Sequence, residues 1–164
     1  MCKRIASTFL LILWMSVIFG FSAQPATESS KLSGTVREAV VKIAEKILPE
    51  LGEKIDAERG GKGLLTALIR KTAHFTCFLI LGILGMWTLS AYGVERKRRC
   101  IVLVFCILYA ISDEVHQIFV SGRAGKIMDV LIDTAGSAAG ICFYTAFRRG
   151  CRFLQNRRGC TKLM

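Results

Sequence analysis

The segment CIVLVFCILYAISDEVHQIFV, residues 100–120, decides how this chain folds. Its opening stretch, Cys100 to Ser112, has 13 uncharged residues, and as a helix it reaches only about 20 Å at ~1.5 Å per residue. A bilayer core of ~30 Å is out of its reach. If the helix continues through Asp113, Glu114, His116 and Gln117 to Val120, it is long enough, and two acids then enter the membrane. An ionised carboxylate there costs at least ~2.5 kcal/mol on insertion scales. The pair therefore favours a functional role over mere packing.

The neighbouring sequence supports the membrane reading. Thr72 to Val94 is a run of 23 residues whose one ionisable side chain is His74, and Ile5 to Ala23 is a run of 19 with no charge. Thr134 to Phe147 has 14 uncharged residues and reaches spanning length by starting back near Asp129. The expectation is an all-α, integral membrane four-helix bundle forming a single domain over 1–164, with spans at about 5–23, 71–93, 100–120 and 129–147. The chain is 52% hydrophobic with a net charge of +11 and a mean hydropathy of +0.45. A disordered basic tail, a soluble zinc module, a secreted disulfide scaffold and a nucleic-acid binder all fit this combination poorly.

The basic residues predict orientation, because short loops rich in Lys and Arg stay cytoplasmic. Lys3 and Arg4, then Glu95 to Arg99, then the tail 148–164 hold 12 of the 23 basic residues and only one of the 12 acids, Glu95. The remaining 11 basic and 11 acidic residues cancel, so the surplus lies on one side. Both termini are expected in the cytoplasm, with residues 24–70 and a loop at 121–128 outside. The first run is too long for a signal-peptide core, and bulky Phe21 stands where an A-x-A cleavage site needs a small residue, so it is expected to stay as an anchor. In the outer segment, Val36, Val40, Ile43, Ile47, Leu51 and Ile55 recur at helical steps and predict an amphipathic helix kinked at Pro49. Gly60, Gly61 and Gly63 predict a flexible joint. The seven cysteines include no C-x-x-C and no outer-loop pair, so free thiols are expected.

On this topology the polar residues of three spans share one depth. Lys71 and His74 open the second span, Asp113, Glu114, His116 and Gln117 end the third, and Asp129 and Asp133 open the fourth, with Arg123 and Lys126 in the loop between. At ~100° per residue, Lys71, His74, Phe75 and Phe78 share a face, as do Asp113, His116 and Gln117, and as do Asp129, Asp133, Gly136 and Gly140. The Gly136-Ser-Ala-Ala-Gly140 pattern allows close helix approach. Structural roles compete at several positions: Lys71 as a snorkelling cation, His74 as a buried hydrogen-bond partner, Asp129 as a helix cap.

Three motifs resemble the VanZ-like family of bacterial membrane proteins, which is associated with teicoplanin resistance. They are Lys71-Thr-Ala-His74-Phe75 with Leu81-Gly82, Asp113-Glu114-Val-His116-Gln117-Ile-Phe119 with Gly122-Arg123, and Asp129-Val-Leu-Ile-Asp133-Thr-Ala-Gly136 with Gly140. Phe21-Ser22-Ala23-Gln24-Pro25-Ala26, with Ser29, Ser30 and Ser33 behind it, is also similar. Ser121 stands where the family usually has Pro, and Asp133 where it often has Asn. The resemblance implies a membrane fold and a link to glycopeptide resistance, without a settled reaction.

Three functions follow as expectations. In an enzyme acting on a lipid-linked envelope substrate at the outer leaflet, His74 or Glu114 serves as general acid or base, oriented by Asp113. Lys71 and Arg123 hold a phosphate or carboxylate, and Gln117, Asp129, Asp133 and His116 complete the binding set. In a binding protein, the same cluster recognises a lipid or glycopeptide, with Phe75, Phe78 and Phe119 as an apolar groove. In an ion-coupled carrier, the intramembrane carboxylates relay protons, and four spans then require a homo-oligomer. No H-E-x-x-H spacing announces a metal and no cofactor is expected, although two histidines and four carboxylates leave a divalent cation open. Membrane lipids are the expected partners, and nucleic acid is not.

Overall fold

A computed structural model describes residues 1–47 and 59–160. They form five helices: α1 (Cys2–Ser22), α2 (Ala26–Ile47), α3 (Arg59–Ala91), α4 (Arg98–Ile118) and α5 (Ile127–Cys160). The described residues contain no strand. Four helical stretches are long and apolar enough to cross a membrane: Cys2–Ser22, Leu65–Ala91, Arg98–Ile118 and Ile127–Phe153. The all-α, four-span architecture expected from the sequence is therefore present.

Its surface is that of a lipid-solvated bundle. Phe9, Leu13, Leu108, Phe143 and Phe147 all point outward and are exposed. A water-soluble bundle of this size would bury such side chains. The interior holds a small apolar core of Ile18, Phe78, Leu81, Met86, Val102, Cys106, Ala110 and Ile141. Alongside it, Ser22, Asp113, Glu114, Gln117, Asp133 and Ser137 are buried polar residues.

Helices α3 and α5 pack against each other most extensively, and glycine makes this contact possible. A Cβ on Gly136 would run into the backbone oxygen of Phe75, one on Gly140 into that of Leu79, and one on Gly82 would meet the oxygen of Ser137 at 2.5 Å. The small-residue pattern thus places the backbones of the two helices in contact. Side chains bonded to backbone oxygens hold α1. The Trp14 indole donates to the Cys77 carbonyl at 2.9 Å and the Tyr109 hydroxyl to that of Met15 at 2.7 Å. Such bonds matter where lipid removes the hydrophobic drive for helix association. At the basic end, Glu95 pairs with Arg98 at 3.5 Å and Arg148 at 3.8 Å, which ties the α3–α4 turn to α5.

One expectation is corrected. Gly60, Gly61 and Gly63 lie inside α3 and form no joint. At roughly 0.5–1 kcal/mol each, their helix penalty is offset by the helix-forming run from Leu64 onward. Residues 148–160, the start of the basic tail, continue α5 as helix to Cys160, since their Arg, Leu and Gln residues support helix. Helix α2 is present, and Leu32, Val36, Val40 and Ile43 of its apolar stripe are exposed. The remainder of the expected amphipathic helix, with Pro49, Leu51 and Ile55, lies outside the described residues.

Candidate functional site

The far end of the bundle from Glu95 is where α1 finishes, α2 begins, α3 is entered, and α4 turns into α5. The turn is closed by local contacts. The Ser121 carbonyl accepts from the Ala26 N–H at 3.3 Å, and Gly122 has φ +75°, a left-handed conformation that glycine takes without strain. The Arg123 guanidinium reaches back to the Phe21 carbonyl at 3.4 Å.

Within this end, the last residue of α1 meets the acids of α4. The Ser22 hydroxyl donates to Asp113 Oδ2 at 2.8 Å. Gln117 Nε2 donates to Ser22 Oγ at 2.7 Å and to the same Asp113 oxygen at 3.0 Å. Asp113 Oδ1 has no hydrogen-bond partner among the described residues. One turn of helix thus fixes a carboxylate through one oxygen and leaves the other facing inward. Glu114, on the adjacent side, accepts the Lys126 backbone N–H on Oε2 at 2.7 Å, so it anchors the loop that leads into α5.

Across the interior, Asp133 of α5 is fully buried and both its oxygens are unpartnered among the described residues. The nearest cation-forming group is His74 Nδ1, 3.8 Å from Oδ1. That exceeds hydrogen-bond length. One donor-type atom each from His74, Asp113 and Asp133 lie within 4.8 Å of one another. Three residues from three spans, which no local spacing connects, form one cluster.

A cleft of about 290 Å³ opens beside His74. It is lined by Ile18 and Phe21 of α1, Leu32 and Val36 of α2, and Ile69, Ala73 and Cys77 of α3, with Arg70 and Arg123 as its cations. A neighbouring recess of about 170 Å³ is lined by Ser29, Ser30, Ser33, Thr66 and Arg70. Arg123 lies outside the spans; burial and then the charge of Arg70 lower its pKa, while Asp113 and Glu114 pull the other way. Two guanidiniums thus share a mostly apolar cleft, whose other polar residues are Gln24, Ser29, Ser33 and His74.

The other residues singled out from the sequence fall around this centre. Lys71 and Asp129 line a narrow recess with Arg70, His74 and Asp133, and Asp129 Oδ1 is buried with no hydrogen-bond partner among the described residues. His116 sits apart, with its ring edge-on to Phe19 at 4.2 Å. The phenylalanine groove does not form: Phe78 is fully buried in the core and Phe119 is 84% exposed. Helices α1 and α2 supply the cleft's apolar wall in their place. Sequence reasoning missed Arg70 and Ser22. Arg70 lies four residues before His74, so the helical phase that selects Lys71 reaches it too. Ser22 lies in the stretch from Phe21 to Ala26 that resembles the family, and nothing in its local pattern gave it a partner.

No curated protein and no solved structure matches this chain. A family model described as VanZ/LLP1 matches residues 7–148. That range takes in all four spanning helices nearly whole, together with every residue of the cluster and the cleft. The buried carboxylates of α4 and α5, the histidine of α3 and the loop arginine are thus features of a multi-pass membrane protein that belongs to the VanZ/LLP1 family.

Proposed function

We propose that this end of the bundle faces the outer leaflet and holds the anionic headgroup of an envelope lipid, and that this raises tolerance to glycopeptides such as teicoplanin. One observation carries the reading: Arg70 and Arg123 line a single cleft whose other walls are mostly apolar. Two like charges in a half-desolvated cleft are stabilised by an anion between them, and the apolar walls suit the first carbons of an acyl chain. The serine-rich recess beside Arg70 adds hydroxyls for a phosphate or sugar. The charge surplus supports the outward orientation, since the basic loops lie at the opposite end. The family's association with teicoplanin resistance supports the setting.

Lipid binding by the purified full chain tests this reading. In neutral detergent, wild type is expected to retain phosphatidylglycerol over phosphatidylethanolamine in native mass spectra. The Arg70→Ala, Arg123→Ala double variant should lose at least ~10-fold of that preference, as expected when charge-assisted contacts are removed. Equal retention by the double variant would defeat the proposal. His74 lines the same cleft and is the group placed to exchange a proton with a bound headgroup. A His74→Asn variant that still binds lipid but confers no tolerance would make the site catalytic; retained tolerance would make it a binding site.

A further inference from the structure

The three buried ligand-type groups form an arrangement that the lipid reading leaves unexplained. Asp133 is 0% exposed and Asp113 2% exposed. Three of their four carboxylate oxygens have no hydrogen-bond partner among the described residues. Unpartnered buried carboxylates in a span are costly, and two that face each other repel. Of the cations nearby, Arg123 bonds to the Phe21 carbonyl, while Arg70 and Lys71 share a recess with Asp133 without hydrogen-bonding either of its oxygens. His74 offers at most one positive charge for two carboxylates, and its Nδ1 stands 3.8 Å from Asp133.

From this geometry we propose that His74, Asp113 and Asp133 bind a divalent transition-metal ion. The three donor atoms lie within 4.8 Å of one another. An ion about 2.1 Å from each ligand holds opposite donors about 4.2 Å apart and adjacent ones closer, so shifts under about an ångström close the site. The surrounding bonds suit this role. Gln117 and Ser22 grip Asp113 by Oδ2 and present Oδ1, as outer partners of a metal-binding carboxylate do. One imidazole with two carboxylates fits Mn²⁺ or Zn²⁺, and three protein ligands leave coordination positions open. Asp129 and Lys71 flank the recess that leads to Asp133. Because His74 also lines the cleft, the ion would lie at its floor and add its charge to that of Arg70 and Arg123. Only that last step rests on the headgroup reading.

Mn²⁺ is the probe of choice, because the seven cysteines are soft ligands that compete for Zn²⁺ more than for Mn²⁺. The full chain is purified in detergent, stripped with chelator and titrated with Mn²⁺ in the absence of added lipid. The electron paramagnetic resonance signal of free Mn²⁺ reports binding. Wild type should quench the signal of a single ion per chain. Asp133→Asn and His74→Asn should each weaken binding by at least ~10-fold, and Gln117→Ala by about 10-fold through loss of positioning. Glu95→Gln, at the opposite end of the bundle, should match wild type. Removing a charge from a span does not endanger insertion, and a monodisperse elution profile confirms the fold. Should Asp133→Asn fail that check, His74→Asn decides. The proposal is overturned if wild type leaves the free signal undiminished, or if the folded variants quench it as fully as wild type. Lipid retention by the stripped protein, measured separately, tells failure of the metal site from failure of the headgroup reading.

Discussion

Ser22 is a small residue with a large structural part. It is fully buried, donates to Asp113 and accepts from Gln117, and so joins α1 to α4 where lipid supplies no hydrophobic drive. Replacing it with Ala leaves Asp113 and Gln117 short of a partner, which costs about 1–3 kcal/mol at a buried site. A lower thermal midpoint for Ser22→Ala, against an unchanged one for the exposed Ser16→Ala, is the expected result in a detergent melting assay. The acids were legible in the sequence because a charge inside a span is conspicuous. Ser22 was not, because an uncharged hydroxyl at a helix end has nothing in its local pattern to show what it meets 91 residues away. Glu114 was legible as a functional candidate by the same logic, yet its bond to the Lys126 N–H could only be seen once the loop was folded.

At the scale of elements, the α3–α5 contact governs the site, since His74 and Asp133 approach only if these helices pack backbone to backbone. The Gly136-to-Gly140 spacing announced that contact, and the overlap of any added Cβ with the Phe75 and Leu79 oxygens shows how close it is. Gly140→Ala should push the helices apart and lower the folded yield, whereas Gly150→Ala, where nothing lies within 4 Å, should behave as wild type. Fluorescence-detected size exclusion of the two variants checks this. Span positions were legible from runs of uncharged residues, whose length alone decides them. Helix ends were less so: Gly60, Gly61 and Gly63 read as a joint, yet they lie inside α3. A helix passes through weak formers when strong ones adjoin them. The cleft was not legible, because its walls come from α1, α2 and α3 together; the apolar stripe of α2 marks a face to be covered without naming the helix it meets.

For the whole molecule, charge and chemistry divide between the two ends. One end carries the basic loops, with Glu95 paired to Arg98 and Arg148; the other carries Arg70, Arg123 and the buried His74, Asp113 and Asp133 cluster. The division explains how a chain with a net charge of +11 can hold a site whose surroundings are neutral overall. The account stands or falls on the side to which the cleft opens. In a variant without its native cysteines, single cysteines are placed at Arg123 and at Lys97 and treated in intact cells with a membrane-impermeant maleimide. Labelling at position 123 without permeabilisation, and at position 97 only after it, is the predicted result. Labelling at 97 in intact cells with 123 protected would contradict the account.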